Sequence, residues 1–409
     1  RFAQGGGAFT SRGLVQLRRS AYKLADESLD PACACSTCAS YSRAYLHHLS
    51  KTQETLGWQL LGQHNIYFYH QLMREIRASI LNGTFLKLYE ERRQILGLGD
   101  IDTPAIGPKV KRPKGAPRLG DYEVLEAREG FFSIRHVSSG EIMHSRTPPM
   151  VEAERLYVGQ SGLAERLREA TTEPLVVWDV GLGAAANAMG AIACYEAAAE
   201  KGPIRPMEIV SFENNLDSLK LALKHRDKFP YLRHGGPVAI VERGEWRSKS
   251  YEGLSWRLCL GEFSEEIEKP VPLPDVIFYD MYSRKTHGDA WTLGAFERLY
   301  RRVQGRASEL YTYTCSTESR VSLLAAGFFV ATGLSTGEKQ ETTVAMTPEA
   351  WARRQKAVHA QRVELLDASW LSRWNRSGAK FPSELMLDAQ PGFEARIREH
   401  AQFLNHPSS

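Results

Sequence analysis

The chain has 409 residues, 43% hydrophobic and 24% charged, and these fractions exclude a disordered or low-complexity protein. Its formal net charge of +4 permits a polyanionic partner without requiring one. Six cysteines are too few for a secreted disulfide scaffold, so we expect a reducing, cytoplasmic setting. We expect no membrane contact, because polar and glycine residues interrupt the one long apolar stretch, 175–195. The chain begins at Arg1 rather than methionine, which indicates a missing front.

The first motif is a cluster of three cysteines, Cys33, Cys35 and Cys38, on a predicted tight turn. Thiolates with such short spacers are typical ligands of tetrahedral zinc, which needs a fourth donor to close its shell. We favour His64 as that donor, because the next helix can bring it back to the cluster. The histidines considered for this position are His47, His48, His64 and His70.

A closed shell of three cysteines and one histidine leaves no open coordination position, so the predicted zinc is structural and does no chemistry. Two other interpretations stay open. Cys35 and Cys38 form a CxxC pair that could act in redox exchange, and the three cysteines could simply be buried side chains.

Apolar residues at helical spacing predict a helical module over 41–81 that ends at Asn82 and Gly83. A basic segment rich in proline and glycine follows and is predicted to be a linker, either a solvated tether or a segment that tracks phosphates. The domains predicted from these changes in composition are a zinc module, the linker, an α/β domain and a helical extension, at residues 1–97, 98–120, 121–346 and 347–409.

Five apolar runs between residues 174 and 316 alternate with helix-like stretches. Strands that alternate with helices favour a mostly parallel sheet covered on both faces. The predicted fold class is therefore α/β: a helical zinc-binding module followed by a Rossmann-like domain.

The first of these runs ends in the motif Asp179-x-Gly181-x-Gly183, which leads into a helix of small residues. Glycines at this turn let a ligand approach the backbone closely, although a plain strand-to-helix turn would look similar. The next two runs end in Glu213 and Glu262. Acids at successive strand ends suit the ribose and adenine of a nucleoside, so we predict that these five residues bind S-adenosylmethionine.

The fourth run ends in Asp280, at the edge where open α/β sheets place reacting groups. Methyl transfer to an amine needs a nitrogen lone pair free of its proton, and one carboxylate could orient or deprotonate that amine. We therefore predict Asp280 as the catalytic residue; the alternative is a helix-capping aspartate.

The string from "GGGAFTSRG" through "DPACACSTC" to "LLGQHNIYFYHQLMREI" resembles the C-terminal end of bacterial tRNA-guanine transglycosylase over residues 1–95. That family exchanges guanine at the tRNA wobble position on a TIM barrel. The resemblance implies the ligand set Cys33, Cys35, Cys38 and His64. It also implies a homodimer contact near Tyr41, Tyr45 and His48. The family's catalytic residues lie upstream of the position that matches Arg1, so we expect no base exchange in this chain.

A second resemblance covers residues 120–346 and rests on "DVGLG", "IVSFE", "LGE" and "YDMYSRKTHGDAWT". These strings are similar to the methyltransferase domain of the bacterial tRNA 5-methylaminomethyl-2-thiouridine biosynthesis protein. The resemblance implies transfer of a methyl group from S-adenosylmethionine to the aminomethyl group of wobble uridine. It implies that the backbone of Gly181 and Gly183 contacts the methionine part of the cofactor. It also implies that Glu213 binds the ribose, that Glu262 binds the adenine and that Asp280 binds the acceptor amine. The loop 281–288 departs from the family's pattern.

Both resemblances concern the tRNA anticodon, so the sequence predicts a fused wobble-modifying protein with tRNA as its partner. Linker bases and the group Arg353, Arg354 and Lys356 would neutralise phosphates. Two alternatives stay open: a zinc-stabilised module that binds tRNA or dimerises without catalysis, and a methyltransferase acting on a small amine.

Overall fold

We describe the protein from a computed structural model, which covers residues 2–96, 116–144, 146–284, 286–334, 341–356 and 363–404. The chain divides into two compact units, Arg1–Gly115 and Ala116–Ser409, which are described separately. The predicted linker bases Lys109, Lys111, Arg112 and Lys114 lie outside the described residues.

The first unit is a small hairpin with helices packed around it. The hairpin strands are antiparallel, and their buried side chains share a core with residues of the cysteine turn and the following helices. The strands are β1 Gly7–Thr10 and β2 Gly13–Gln16, and the helices are α1 Ser36–Ser40, α2 Arg43–Lys51, α3 Thr55–Leu81 and α4 Phe85–Leu96.

Helix α3 ends where the sequence predicts it. Its C-cap is Asn82, and Gly83 follows with φ +68°, a left-handed conformation that glycine adopts without strain. The helical module predicted over 41–81 consists of two helices, α2 and α3, with a break at 52–54, and His64 lies on the second of them as expected.

The second unit is built on a nine-stranded sheet in the order β14-β12-β13-β11-β10-β6-β7-β9-β8. A separate three-stranded sheet, β3-β4-β5, is antiparallel. The strands are β3 Arg118–Leu119, β4 Tyr122–Glu126, β5 Phe132–His136, β6 Leu175–Val180, β7 Met207–Glu213, β8 Glu245–Arg247, β9 Leu254–Leu260, β10 Val276–Tyr279, β11 Glu309–Thr312, β12 Phe329–Gly333, β13 Thr342–Met346 and β14 Glu364–Leu365.

Helices cover both faces of the large sheet, and two hydrophobic clusters form its core. Between α5 and α6 lies a π-helical turn, Glu154–Gly159. The helices are α5 Pro149–Ala153, α6 Leu163–Leu167, α7 Ala186–Ala199, α8 Asp217–Lys224, α9 Gly235–Arg243, α10 Phe263–Glu266, α11 Leu293–Val303, α12 Thr317–Ala326, α13 Pro348–Lys356, α14 Ala368–Asn375, α15 Gln390–Arg398 and α16 Ala401–Leu404.

The five apolar runs of the sequence become the five central strands, β9, β7, β6, β10 and β11, and neighbours among them pair in parallel. All six residues of β6 are buried, as expected for a strand covered on both faces. Antiparallel strands flank this centre: β8 on one side and β12 to β14 on the other. The α/β prediction with a large sheet and a parallel centre is confirmed.

Within the described ranges, the chain contains no helix that is long and apolar enough to cross a membrane.

Candidate functional site

In the first unit the structure brings together the four predicted zinc ligands, Cys33, Cys35, Cys38 and His64, with their ligand atoms within 4.8 Å of one another. The Nδ1 atom of His64 lies 3.6, 3.4 and 3.3 Å from the three sulfur atoms, in chain order. Bond lengths of about 2.3 Å for zinc to sulfur and about 2.0 Å for zinc to nitrogen require ligand separations of about 3.5 Å in a tetrahedron. The donor set and its spacing therefore fit zinc.

The His64 ring is held with Nδ1 toward the thiols, because Nε2 lies 2.7 Å from the carbonyl oxygen of Phe9. A carbonyl partner of this kind fixes the orientation of a metal-binding histidine. Burial lowers the pKa of His64, which favours the neutral ring that can donate to a metal. The first of the three cysteines follows Asp30, whose carboxylate accepts hydrogen bonds from the Ser11 and Ala32 amides.

The alternative fourth ligand His47 is engaged elsewhere, since its Nδ1 lies 2.6 Å from the carbonyl oxygen of Leu17. All six cysteines are free thiols, so the CxxC pair is not a disulfide. His48 and His70 are not among the residues gathered at the cluster, within the part of the chain that is described.

In the second unit a cavity of about 1300 Å³ opens at the carboxyl ends of the central parallel strands. Its wall includes residues that follow β6, β7, β9 and β10, which is the edge where open α/β sheets bind ligands. The predicted cofactor and catalytic residues on this wall are Gly181, Gly183, Glu213, Glu262 and Asp280.

The Glu213 side chain holds the glycine turn in place through hydrogen bonds. Its carboxylate accepts hydrogen bonds from the backbone amides of Gly183 at 2.9 Å, Asn214 at 3.0 Å and Asn215 at 3.2 Å. Burial raises the pKa of Glu213, and these amide donors oppose that rise. A carboxylate has about four acceptor positions, so roughly one remains for a ligand hydroxyl.

The Gly183 amide is used within the protein, and the Gly183 carbonyl accepts a hydrogen bond from Ser218 Oγ at 2.9 Å. The amide is therefore not available to a ligand while its bond to Glu213 is formed, whereas the carbonyl keeps a second acceptor position. Gly181 has φ +89°, and a Cβ at this position would lie 2.6 Å from the Asp280 carbonyl oxygen. Only glycine fits where these two strand ends meet.

Glu262 follows β9 and is the most exposed of the three predicted acids on the wall. Its Oε1 accepts a hydrogen bond from Asn214 Nδ2 at 2.9 Å. This contact joins the ends of β7 and β9 on one side of the cavity.

Asp280 follows β10, and its Oδ2 accepts a hydrogen bond from Asn187 Nδ2 at 2.8 Å. Burial raises the pKa of the Asp280 carboxyl and the nearby Glu152 raises it further, whereas His144 and Asn187 lower it. A carboxyl held in this way can orient a cationic group and exchange a proton with it.

Asp179 does not line the cavity, in contrast to the sequence prediction that it touches the cofactor. It lies within β6, is 1% exposed and accepts a hydrogen bond from Ser211 Oγ at 2.7 Å. Ser211 Oγ in turn accepts a hydrogen bond from the indole N–H of Trp256. Burial raises the pKa of Asp179 to about 7.

Sequence reasoning missed several wall residues. Glu141 accepts hydrogen bonds from the Ser283 amide at 2.8 Å and from Thr286 Oγ1 at 2.6 Å, which ties the small-sheet region to the loop after β10. Two buried polar atoms on the wall, Tyr282 Oη and His287 Nδ1, have no hydrogen-bond partner in the described protein. These atoms are suited to polar groups of a ligand. In the sequence only the departure of loop 281–288 from the family pattern pointed to this region.

The predicted phosphate-binding group is wrong for Arg354. This side chain is 9% exposed and pairs with the buried Glu309 at 2.6 Å, so it is engaged within the unit. Arg353 contacts Glu169 but is 40% exposed, so its contact with phosphate stays a prediction.

Comparisons with known proteins agree with the two-part organisation. Residues 1–96 match the family described as queuine tRNA-ribosyltransferase, and residues 240–348 match the family described as S-adenosyl-L-methionine-dependent methyltransferase. The queuine tRNA-ribosyltransferase of Nitrosospira multiformis is 49% identical over 85 residues, which are 21% of this chain and 23% of that protein. The protein of the same name from Clostridium kluyveri is 46% identical over 84 residues, 20% of this chain and 22% of that protein.

The chain thus spans about a quarter of the length of the curated relatives it matches. Among solved structures, the crystal structure of MNMC2 from Aquifex aeolicus is similar with a TM-score of 0.48 and 20% identity, over 69% of this chain and 87% of that one. The family matches agree with the first resemblance over residues 1–96 and, at the level of an S-adenosyl-L-methionine-dependent methyltransferase, with the second over residues 240–348.

Proposed function

We propose that the second unit transfers a methyl group from S-adenosylmethionine to an aminomethyl group on the wobble uridine of tRNA. The observation that carries this proposal is the cavity at the parallel strand ends, with Glu213 beside the glycine turn and Asp280 two strands away. The methyltransferase match at residues 240–348 supports the reaction class. The match of residues 1–96 to a tRNA-modifying family supports tRNA as the substrate.

In this proposal Glu213 and Glu262 hold the nucleoside part of the cofactor and Asp280 receives the amine. S-adenosylmethionine supplies an activated methyl group when it is bound. The wall fits such a ligand because it combines acids at strand ends with buried polar atoms of Tyr282 and His287 that have no hydrogen-bond partner among the described residues. A tRNA substrate would place the reaction in the cytoplasm.

For the first unit we propose a structural zinc site held by the four ligands described above, in a module that derives from the barrel end of a transglycosylase. This module would help to bind the anticodon region and would form a homodimer. Tyr41 and Tyr45 stack with ring centroids 5.4 Å apart, and Tyr45 is 40% exposed, which suits a contact with a second copy.

Three measurements test the proposal. Calorimetric titration of the zinc-loaded protein with S-adenosylmethionine should show binding. Tritiated methyl should then pass to tRNA that carries an unmethylated aminomethyl uridine, and nuclease digestion should recover it on that nucleoside. Asp280→Ala should abolish transfer while it changes cofactor affinity by less than about threefold.

The outcomes separate the alternatives. Cofactor binding without transfer to tRNA, but with transfer to a free amine, would favour a small-molecule methyltransferase. No cofactor binding together with tRNA binding would favour the zinc-stabilised binding module. Loss of cofactor binding in Asp280→Ala would show that the role assigned to this residue is wrong.

A further inference from the structure

The end of the cavity near β10 carries two ionisable groups that the proposed function does not use. They are His144 and Glu152, which line the wall together with Asp280. Strand β6 separates β10 from β7, so this end lies about 10 Å from the Glu213 end, at about 4.8 Å per strand. The cofactor end and this end are therefore distinct parts of one cavity.

His144 and Glu152 form a hydrogen-bonded pair, with Nδ1 of the imidazole 3.0 Å from a carboxylate oxygen. An ionised carboxylate only accepts hydrogen bonds, so Nδ1 carries the proton and Nε2 keeps a lone pair. The His144 backbone amide donates to Ser133 Oγ at 3.0 Å, which fixes this residue beside the small sheet. The His144 side chain is 10% exposed, and that exposed edge belongs to the cavity wall.

Two carboxylates meet at this end. Asp280 is held by Asn187, and the negative charge of Glu152 acts on it directly, since Glu152 raises the pKa of Asp280. Other titratable groups of the described protein that interact with Asp280 are the phenols of Tyr157, Tyr282 and Tyr313 and the buried carboxyl of Asp179. A cavity end lined by two carboxylates, Asp280 and Glu152, and by the His144 imidazole favours a ligand with a positive charge.

An amine at neutral pH is such a ligand, but its protonated form has no lone pair for attack. We propose that the acceptor binds here as an ammonium ion oriented by Asp280, and that Nε2 of His144 takes its proton while Glu152 holds the ring in position. This inference rests on the proposed function and deepens it. His144 is the proton acceptor and Glu152 is a positioning residue.

Proton transfer to His144 precedes formation of the C–N bond. One N–H bond breaks, its electron pair stays on nitrogen, and the proton moves to Nε2. The lone pair then forms the C–N bond as the carbon–sulfur bond breaks and its electrons return to sulfur. The product leaves as a methylated ammonium ion, and His144 returns its one proton to solvent.

Kinetics of single variants give the first test. His144→Phe should lower kcat about 100-fold or more, because general-base contributions are typically of that size, and should leave cofactor affinity within about twofold. Glu152→Gln, which can still accept from Nδ1, should lose less than Glu152→Ala. The matched control is His234→Asn, because His234 also faces a carboxylate, that of Glu196 at 3.7 Å, but lies off the wall and caps a helix. Its activity should be unchanged.

Two further readouts distinguish chemistry from a structural effect. Added imidazole should restore part of the activity of His144→Gly. In protein labelled with ¹⁵N in its histidine rings, 5-aminomethyluracil should shift the His144 signal toward the imidazolium form, whereas neutral 5-hydroxymethyluracil should not. The His144→Phe variant assigns that signal, and thermal unfolding checks that each variant is folded.

The results decide between the two proposals. If the unmodified protein transfers methyl groups and His144→Phe keeps its kcat within threefold, the proton-acceptor assignment is overturned and the proposed function stands. If the unmodified protein transfers nothing, the proposed function fails, and the ring-nitrogen spectra alone decide the assignment. Equal shifts of the His144 ring-nitrogen signal with 5-aminomethyluracil and 5-hydroxymethyluracil would overturn the assignment of His144 as the proton acceptor.

Discussion

The carboxylate of Glu213 at the end of β7 accepts the amide of Gly183, 2.9 Å away in the turn after β6. This bond joins two neighbouring strand ends and sets the shape of the turn, so one side chain both holds the turn and lines the cavity. The Asp280 backbone also shapes this turn, because its carbonyl oxygen leaves no room for a side chain at Gly181.

Glu213→Gln should weaken S-adenosylmethionine binding at least tenfold, because an amide offers fewer acceptor positions to the three backbone amides and to a ligand hydroxyl. Calorimetric titration measures the change. Glu242→Gln is the matched control, since that side chain is 62% exposed. Equal affinities in the two variants would contradict the role of Glu213.

Gly181→Ala should destabilise the second unit by about 1–3 kcal/mol and weaken cofactor binding, because the new Cβ would meet the Asp280 carbonyl at a backbone with φ +89°. Gly294→Ala is the control, since a Cβ there meets nothing within 4 Å. Chemical denaturation of both variants tests the difference. A stability of Gly181→Ala equal to that of the control would show that the turn can relax.

Arg166→Met should cost about 3–5 kcal/mol of unfolding free energy, because it leaves the buried Glu309 carboxylate short of a partner. Burial raises the pKa of Glu309, but Arg166 and Arg354 outweigh it and lower the pKa to about 2. A lowered pKa stabilises the fold above about pH 4.3, and this contribution is lost as the pH falls toward 2.

The double variant Arg166→Met with Glu309→Gln should recover only part of the stability, because it removes the buried Glu309 charge but leaves the Arg354 guanidinium without that carboxylate. Denaturation at pH 7 and pH 3 measures both effects. If Arg166→Met has the same free energy of unfolding as the unmodified protein, the ion pair between Arg166 and Glu309 does not stabilise the fold.

Asp179→Asn should stabilise the second unit more at pH 8 than at pH 4. The pKa of Asp179 is raised to about 7, so between about pH 4 and 7 the folded protein keeps a proton that the unfolded chain has lost. Stability from this group therefore falls as the pH rises, by up to about 1.4 kcal/mol per unit. Melting curves across this range test it, and a pH-independent difference would contradict it.

Removal of zinc should unfold the first unit. Cys38→Ser, or a strong chelator, should abolish metal binding and lower the amide-exchange protection of residues 2–96, because a structural zinc contributes directly to folding. Cys315→Ser should keep the metal, since Cys315 is an exposed free thiol. Elemental analysis and hydrogen exchange measure the outcome. If the amides of residues 2–96 keep their exchange protection after chelation, the hydrophobic core alone is enough to keep the first unit folded.

Short-range patterns in the sequence determined a large part of this protein. The spacing of Cys33, Cys35 and Cys38 indicated a metal site because ligands on one tight turn are close whatever the rest of the chain does. The five apolar runs gave the parallel centre of the sheet, and acids that follow such runs must meet at one edge. Glu213, Glu262 and Asp280 were predictable for this reason.

Only the tertiary structure decided the rest. Asp179 was misplaced because side chains alternate along β6, and the register of that strand puts this one against Ser211 instead of the cavity. The pairing of Arg354 with Glu309, and the approach of His144 and Glu152 to Asp280, join segments far apart in the chain. Local sequence carries no record of such contacts, because they exist only after helices and sheets pack.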